Sequence, residues 1–547
     1  MLKSLWKSFA AALALGVFAA APAYAQSKPI VVVSIAPLDK VFADAEYVAQ
    51  LTGEGNDAGV AAAKSFTEGI DTTLPAGAVL SLSDDGTPVV IGFVPVKDLD
   101  TVLDTLKERA GQEAEDKGNG LKQVGPVLVK EVDGYAYIAQ KEEHFEGLPA
   151  PKSVVGTLPA KYELAIQVNV QNVPVFIKQV AIQTMKQGID QNLAKEDSES
   201  DAQFEMRREI ARQQLQALQQ FFDEASQMTF GLKIDSSAKT VGFEMMATAK
   251  DGTKMAKSLA SLKDAQTMFG GLVVPTAPVA INFASQTDDQ DEIAKALKQI
   301  EAYRETVMET IDDSEEIDSD EERELFKELA AEGLNIAESI VEGGKVDAAL
   351  IFNREGAEDP MHILGALYVP EAKKLEALVK KVLNVAADAE PNFPKANFDV
   401  EEHAGVNLHS LPIPSVPDED AQERITKVFG EKPEVFVGFS KDTAWFGVGT
   451  AVDKALKSAI DASGADGAKE IAPVQMSFGV SELMDLGYSL GEEAGEAPEA
   501  EELDRVRIVA ESVDGGLLYR FEAEEGVLKL IGKAAKAAQA KNEEDVN

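Results

Sequence analysis

The side chains best suited to chemistry are few, and most are acidic. The densest group is Asp312-Asp313-Ser314-Glu315-Glu316-Ile317-Asp318-Ser319-Asp320-Glu321-Glu322. Hard divalent cations take several carboxylate oxygens, so Asp312, Asp313, Asp318 and Asp320 are calcium candidates. The run has no glycine where an EF-hand loop must bend, so any binding would be loose and weak. The competing reading is a solvated turn between helices. Ser319 or Asp320 would then cap the second helix, and the carboxylates would favour its dipole.

The histidines are His144, His362, His403 and His409. His403 and His409 flank Gly405, with Glu401 and Glu402 adjacent. On one continuous strand they would lie about 20 Å apart, too far to share an ion. A turn at Gly405 would instead bring a carboxylate beside an imidazole. Ser236-Ser237-Ala238-Lys239 matches S-x-x-K but falls at an expected hairpin turn, whereas the nucleophile version opens a helix. Gly447-Val448-Gly449 lacks the third glycine of a dinucleotide turn. No H-E-x-x-H or Walker loop occurs. These residues imply no catalytic centre and no cofactor beyond weakly held calcium.

The elements that would position these residues form a repeating plan. Ala78–Leu82 and Pro88–Val94 alternate apolar residues about an Asp-Gly turn, then lead into a helix with Leu99, Val102, Leu103 and Leu106 on one face. The same hairpin-then-helix unit recurs at Thr229–Leu262, Val346–Leu383 and Arg505–Ala538. A strand-then-helix unit begins at Ile30, Leu164, Val279 and Val474. Two further hairpins, Pro126–Ala139 and Val435–Val448, also correspond. Long helices are expected at Ala202–Ala225 and Glu322–Val341, and these two read as counterparts.

Two ungapped matches fix the period. Ile91–Leu106 aligns with Leu364–Val379, placing Gly92 on Gly365. Gly242–Gly252 aligns with Gly516–Gly526, placing Gly242 on Gly516. The offsets are 273 and 274 residues. The expected fold is α+β in two tandem similar halves, residues 26–274 and 275–547. Each half is a mostly antiparallel sheet of hairpin-helix and strand-helix units with added long helices. The halves are expected to pair about a pseudo-twofold axis and bury a shared face.

Residues 1–25 read as a signal peptide. Lys3 and Lys7 precede an apolar stretch, and Ala23-Tyr24-Ala25 gives the small residues a signal peptidase requires. The stretch is shorter than the ~20 residues of a spanning helix, so no transmembrane segment is expected after cleavage. This predicts a periplasmic or secreted protein beginning at Gln26. The chain has 94 acidic and 52 basic residues, a net charge of −42 and no cysteine. That balance excludes nucleic acid and anionic membrane surfaces as partners. Without cysteine there are no disulfides, thiolate metal sites or cysteine nucleophiles.

The leader, Leu74–Leu82, the helix entry Val94–Asp100 and the strand Asp133-Gly134-Tyr135-Ala136-Tyr137-Ile138-Ala139 resemble large, uncharacterised exported α+β repeat proteins of planctomycete-type bacteria. That resemblance implies a secreted or periplasmic, non-catalytic protein and carries over no functional residue. Two function classes follow. One is a structural or interaction protein of the envelope or exterior, with a protein or envelope partner or with self-assembly. The other is a carrier for a small apolar or lipidic ligand held between sheet and helices. An unrecognised hydrolase ranks below both.

Overall fold

A computed structural model describes residues 28–546 except 54–56, 84–85, 196–199, 315–316, 318, 355, 357–358, 391 and 491–500. The expected leader at 1–25 lies outside the described residues.

The fold is α+β. Its strands are β1 (Val31–Ile35), β2 (Ala76–Leu82), β3 (Pro88–Pro95), β4 (Ala114–Gly118), β5 (Leu121–Val124), β6 (Val127–Val132), β7 (Tyr135–Ala139), β8 (Leu164–Val168), β9 (Ala225–Asp235), β10 (Thr240–Ala249), β11 (Gln266–Thr267), β12 (Val279–Gln286), β13 (Lys345–Asn353), β14 (His362–Tyr368), β15 (Asn397–His403), β16 (Val406–Pro412), β17 (Pro433–Phe439), β18 (Thr443–Thr450), β19 (Lys469–Glu470), β20 (Val474–Gly479), β21 (Arg505–Val513) and β22 (Gly516–Glu524). All but β11 and β19, which pair with each other, join one 20-stranded antiparallel sheet.

From one edge to the middle, the sheet runs β4, β5, β6, β7, β3, β2, β1, β8, β9, β10. It continues through β22, β21, β20, β12, β13, β14, β18, β17, β16 and β15 to the other edge. Read outward from the β10–β22 pair, the chain places its strands in the same order on both sides. Gly92 and Gly365 lie on matching strands, β3 and β14. Met245 and Tyr519 face each other directly across the central pair. The two sides therefore meet by a backbone ladder, in one sheet, and not by burying a shared face between two sheets.

Both edges are blunted. Strand β4 is exposed throughout and carries Glu115, Asp116 and Lys117. Strand β15 carries Asp399, Glu401 and Glu402, and its pairing with β16 is interrupted around Asp399, whose φ is 54°. Charges and irregular backbone discourage edge-to-edge addition of another strand.

Two apolar clusters hold one face of the outer parts of the sheet. Val32, Val79, Phe93, Tyr135 and Tyr137 pack under the short helices carrying Val155 and Leu158. On the other side, Ile351, Leu364, Ala366, Leu408 and Trp445 pack against helix Val452–Asp466 and against Phe269 and Leu272. The edge of Phe269 meets the Trp445 ring at 5.2 Å. The segment around Phe269 thus sits in the second half's core, although it precedes the expected boundary at 274. Asp347, fully buried, fixes that segment by accepting from the Thr267 hydroxyl at 2.7 Å and the Met268 N–H at 2.8 Å.

The long helices do not correspond as expected. Asp201–Glu224 enters between β8 and β9, whereas Asp320–Glu342 enters between β12 and β13. They are bridged by helix Gln290–Asp313, which packs on both. Similar amphipathic length does not identify an equivalent position, because a helical hairpin fits into any surface connection.

Candidate functional site

The acidic run is a helix-to-helix turn. Asp312 and Asp313 end helix Gln290–Asp313, and Asp320 begins helix Asp320–Glu342. The Ser319 hydroxyl caps that second helix by accepting from the Glu322 N–H at 3.1 Å. Arg323 reaches back and donates to the carbonyls of Ile311 and Asp312, the open C-terminal end of the preceding helix. Lys327 pairs with Asp312. Asp318 lies outside the described residues, so the structure does not place it against Asp312, Asp313 or Asp320.

Among the other sequence candidates, Ser236-Ser237-Ala238-Lys239 turns β9 into β10. The N–H groups of Ser237 and Ala238 donate to Asp235. Gly447 and Gly449 are part of β18. His362 bonds the Thr450 carbonyl at 2.9 Å, and His403 bonds Asp461 at 2.8 Å.

His409 stands apart, because its side chain is only 1% exposed. Ala404 and Gly405, both with positive φ, form the tight turn that folds β15 back on β16. This places Asp399 beside His409, and the Asp399 N–H donates to Nδ1 at 2.8 Å. Phe398 and Phe439 flank the ring at 5.9 and 5.8 Å. Glu376 comes from helix Ala372–Ala389, where it interrupts an apolar stripe and is buried with Ala372 and Leu378. Its Oε1 lies 3.2 Å from His409 Nε2, off hydrogen-bonding geometry.

One ligand atom each from Glu376, Asp399 and His409 falls within 4.8 Å of the others, a spacing compatible with a metal ion. The donors around them argue for a different role. Lys380 sits 3.0 Å from Glu376 and 2.9 Å from Asp399. Lys373 holds the second oxygen of Glu376 at 3.0 Å. The Asn407 amide donates to both carboxylates, at 2.8 and 2.6 Å. Nδ1 accepts a backbone N–H, so the neutral ring carries its proton on Nε2 and offers no lone pair to a metal there. The cluster is a charge-compensated network that ties helix Ala372–Ala389 to the edge hairpin.

Its electrostatics agree. Burial opposes ionisation of Glu376, but the hydrogen bonds from Lys373, Lys380 and Asn407 prevail and hold its pKa at about 2. Burial lowers the His409 pKa, and the Lys380 charge adds to this against the opposing pull of Glu376 and Asp399. In the first half, helix Leu99–Ala110 packs on Val129 and Ala136 through apolar side chains and reaches β5 through an ion pair between Asp100 and Lys122.

The second unusual feature is an inversion at the centre of the sheet. Strand pairing aligns Ile166, Phe230, Met245, Tyr519, Ala510 and Val474 across one face. Leu232, Phe243, Phe521, Ile508 and Met476 form the next row. On β8, β9, β10, β22, β21 and β20 no ladder position on this face is charged. Phe243 is 45%, Tyr519 43% and Phe521 46% exposed. On the opposite face, Glu244 is only 9% exposed. It accepts from Tyr162 at 2.8 Å and Arg520 at 2.9 Å, joining the two halves across the central ladder. Gly231 leaves the space that the Tyr162 ring fills.

The apolar face is a trough. The Ser512 hydroxyl donates to the Leu259 carbonyl, so helix Lys254–Ser261 closes one end of the central strands. Helix Glu525–Val546 continues from the other end, packs on β21 and β22 and buries Val527 and Leu530. Leu517 and Ala523, at the two ends of β22, are accordingly buried, while Tyr519 and Phe521 between them are open. By contrast, a cleft of about 330 Å³ beside β13 mixes charged Arg354, Asp359, Lys427 and Asp485 with apolar Met361, Val428 and Leu486. No described helix is long and apolar enough to cross a membrane.

The chain matches no protein-family model, no curated protein and no solved structure.

Proposed function

We propose that this is an exported, non-catalytic interaction protein of the cell envelope or exterior, built on a duplicated scaffold, that takes an uncharged, apolar partner in the central trough. The observation carrying this reading is the inversion at β10 and β22. Phe243 and Phe521 are open to solvent while Glu244 beside Phe243 is buried. Exposed contiguous apolar surface costs solubility and marks a place where something else binds. The basic n-region, the apolar stretch and Ala23-Tyr24-Ala25 support export. The matching strand order and the offsets near 273 residues support duplication.

The test is binding of the uncharged dye Nile red to the mature protein. Saturable binding that falls at least tenfold in Phe243→Asp and in Phe521→Asp is the expected result. Undiminished binding in both variants refutes the reading.

A further inference from the structure

We propose that the occupant of the trough is the acyl chain of a neutral lipid. This rests on the apolar-partner reading and names the partner's chemistry. Three observations select it. First, the floor carries no charge across six adjacent strands, in a protein whose net charge is −42. An anionic headgroup or membrane surface would be repelled, whereas a hydrocarbon chain with an uncharged headgroup would not.

Second, the shape suits a chain. Helices Lys254–Ser261 and Glu525–Val546 close the two strand ends, so the open direction runs across the strands. Six strands spaced by ~4.8 Å span about 24 Å. That exceeds the ~15 Å of hydrocarbon in one leaflet, half of a bilayer core. A chain lying there meets Phe230, Phe243, Met245, Tyr519, Phe521 and Ile508 beneath it and helices on either side.

Third, the sheet edges are closed to strand addition. Strand β4 carries exposed Glu115, Asp116 and Lys117, and β15 is irregular at Asp399. With the edges closed, the trough is the apolar part of the sheet that a ligand can reach.

The probe is a long-chain monoacylglycerol with a pyrene at the end of its chain, titrated into the full mature protein. Saturable binding is expected. Phe243→Asp and Phe521→Asp should each weaken it at least tenfold. Phe326→Asp, at an exposed position on helix Asp320–Glu342, should leave it unchanged. Melting curves establish that each variant is folded, and Phe243→Ser and Phe521→Ser replace any variant that is not. Sedimentation without lipid is run in parallel. Absent probe binding together with a dimer that dissociates in the Phe243 and Phe521 variants makes the occupant a second copy. It overturns the lipid inference while leaving the apolar-partner reading intact. Probe binding that all the variants retain also overturns it. No probe, no dimer and no Nile red binding overturns both.

Discussion

Replacing Glu376 by glutamine isolates the charge at the centre of the edge network. Glu376 is nearly buried, and its pKa falls from 4.5 to about 2 in the folded chain. A pKa displacement of this size corresponds to about 3 kcal/mol of stability at neutral pH, by linkage at 1.36 kcal/mol per unit. The folded state binds fewer protons than the unfolded chain between those two values. Stability is therefore fully present above pH 4.5 and is lost as pH falls towards 2. Lowered by burial, His409 acts in the same direction, beginning at about pH 6.5. The substituted amide would keep the shape and some hydrogen bonding but not the charge. For a cooperative unit of this size, unfolding entropy of ~2.1 cal/mol/K per residue converts 3 kcal/mol to a melting shift of about 3 °C. Scanning fluorimetry of Glu376→Gln should show a deficit of up to that size at pH 7. The deficit should shrink below pH 4.5 and close near pH 2. A deficit independent of pH, or none at pH 7, would refute the claim that a buried, compensated carboxylate holds this hairpin.

Four further outcomes follow. Gly231→Ala should destabilise by about 1–3 kcal/mol in urea denaturation, since its new Cβ meets the buried Tyr162 ring, which Glu244 holds in place. Gly365→Ala should cost less, because the Phe446 ring that it meets is 38% exposed and free to swing away. Tyr162→Phe should cost about 1–2 kcal/mol by leaving one oxygen of buried Glu244 without its donor, and an unchanged denaturation midpoint would contradict this. Calorimetry should find calcium binding to the Asp312–Glu322 run only in the millimolar range, and micromolar binding abolished by Asp318→Asn and Asp320→Asn would show a built site instead.

Much of the fold was legible because a half-buried hairpin cannot hide its alternation. A one-residue slip would turn its whole apolar row over, so the pattern at Ala76–Pro95, Lys345–Tyr368 and Arg505–Glu524 stood out from sequence. Strands β4, β5, β15 and β16 were not read. Ala114–Gly118 is exposed on every residue and Asn397–His403 on most, so neither carries a periodic apolar signal. The turn condition at Gly405 did pair a carboxylate with an imidazole, but that partner was Asp399, and Glu376 was missed. A signal for Glu376 existed. It is one turn from Ala372 on the face that also carries Leu375 and Val379, a carboxylate where an apolar residue is expected.

The trough was illegible for a deeper reason. Period-two patterning says which residues share a face, but not which face meets solvent. On β10 the sequence offers Val241, Phe243, Met245 and Ala247 against Gly242, Glu244, Met246 and Thr248. Every rule of burial assigns the first set to the core. The structure does the reverse at Phe243 and Glu244, and long-range partners cause it. Glu244 is bound by Tyr162, 82 residues earlier in the chain, and by Arg520, 276 residues later. Those two hydrogen bonds make burying the carboxylate tolerable, because a buried charge without partners would instead be expelled. Once Glu244 is committed inward, pleating forces Phe243 outward, and the ladder carries the same choice to Tyr519 and Phe521. An arrangement that buries a carboxylate and exposes three aromatic rings gains nothing for an isolated molecule. It is intelligible where the exposed rings have an occupant to cover them.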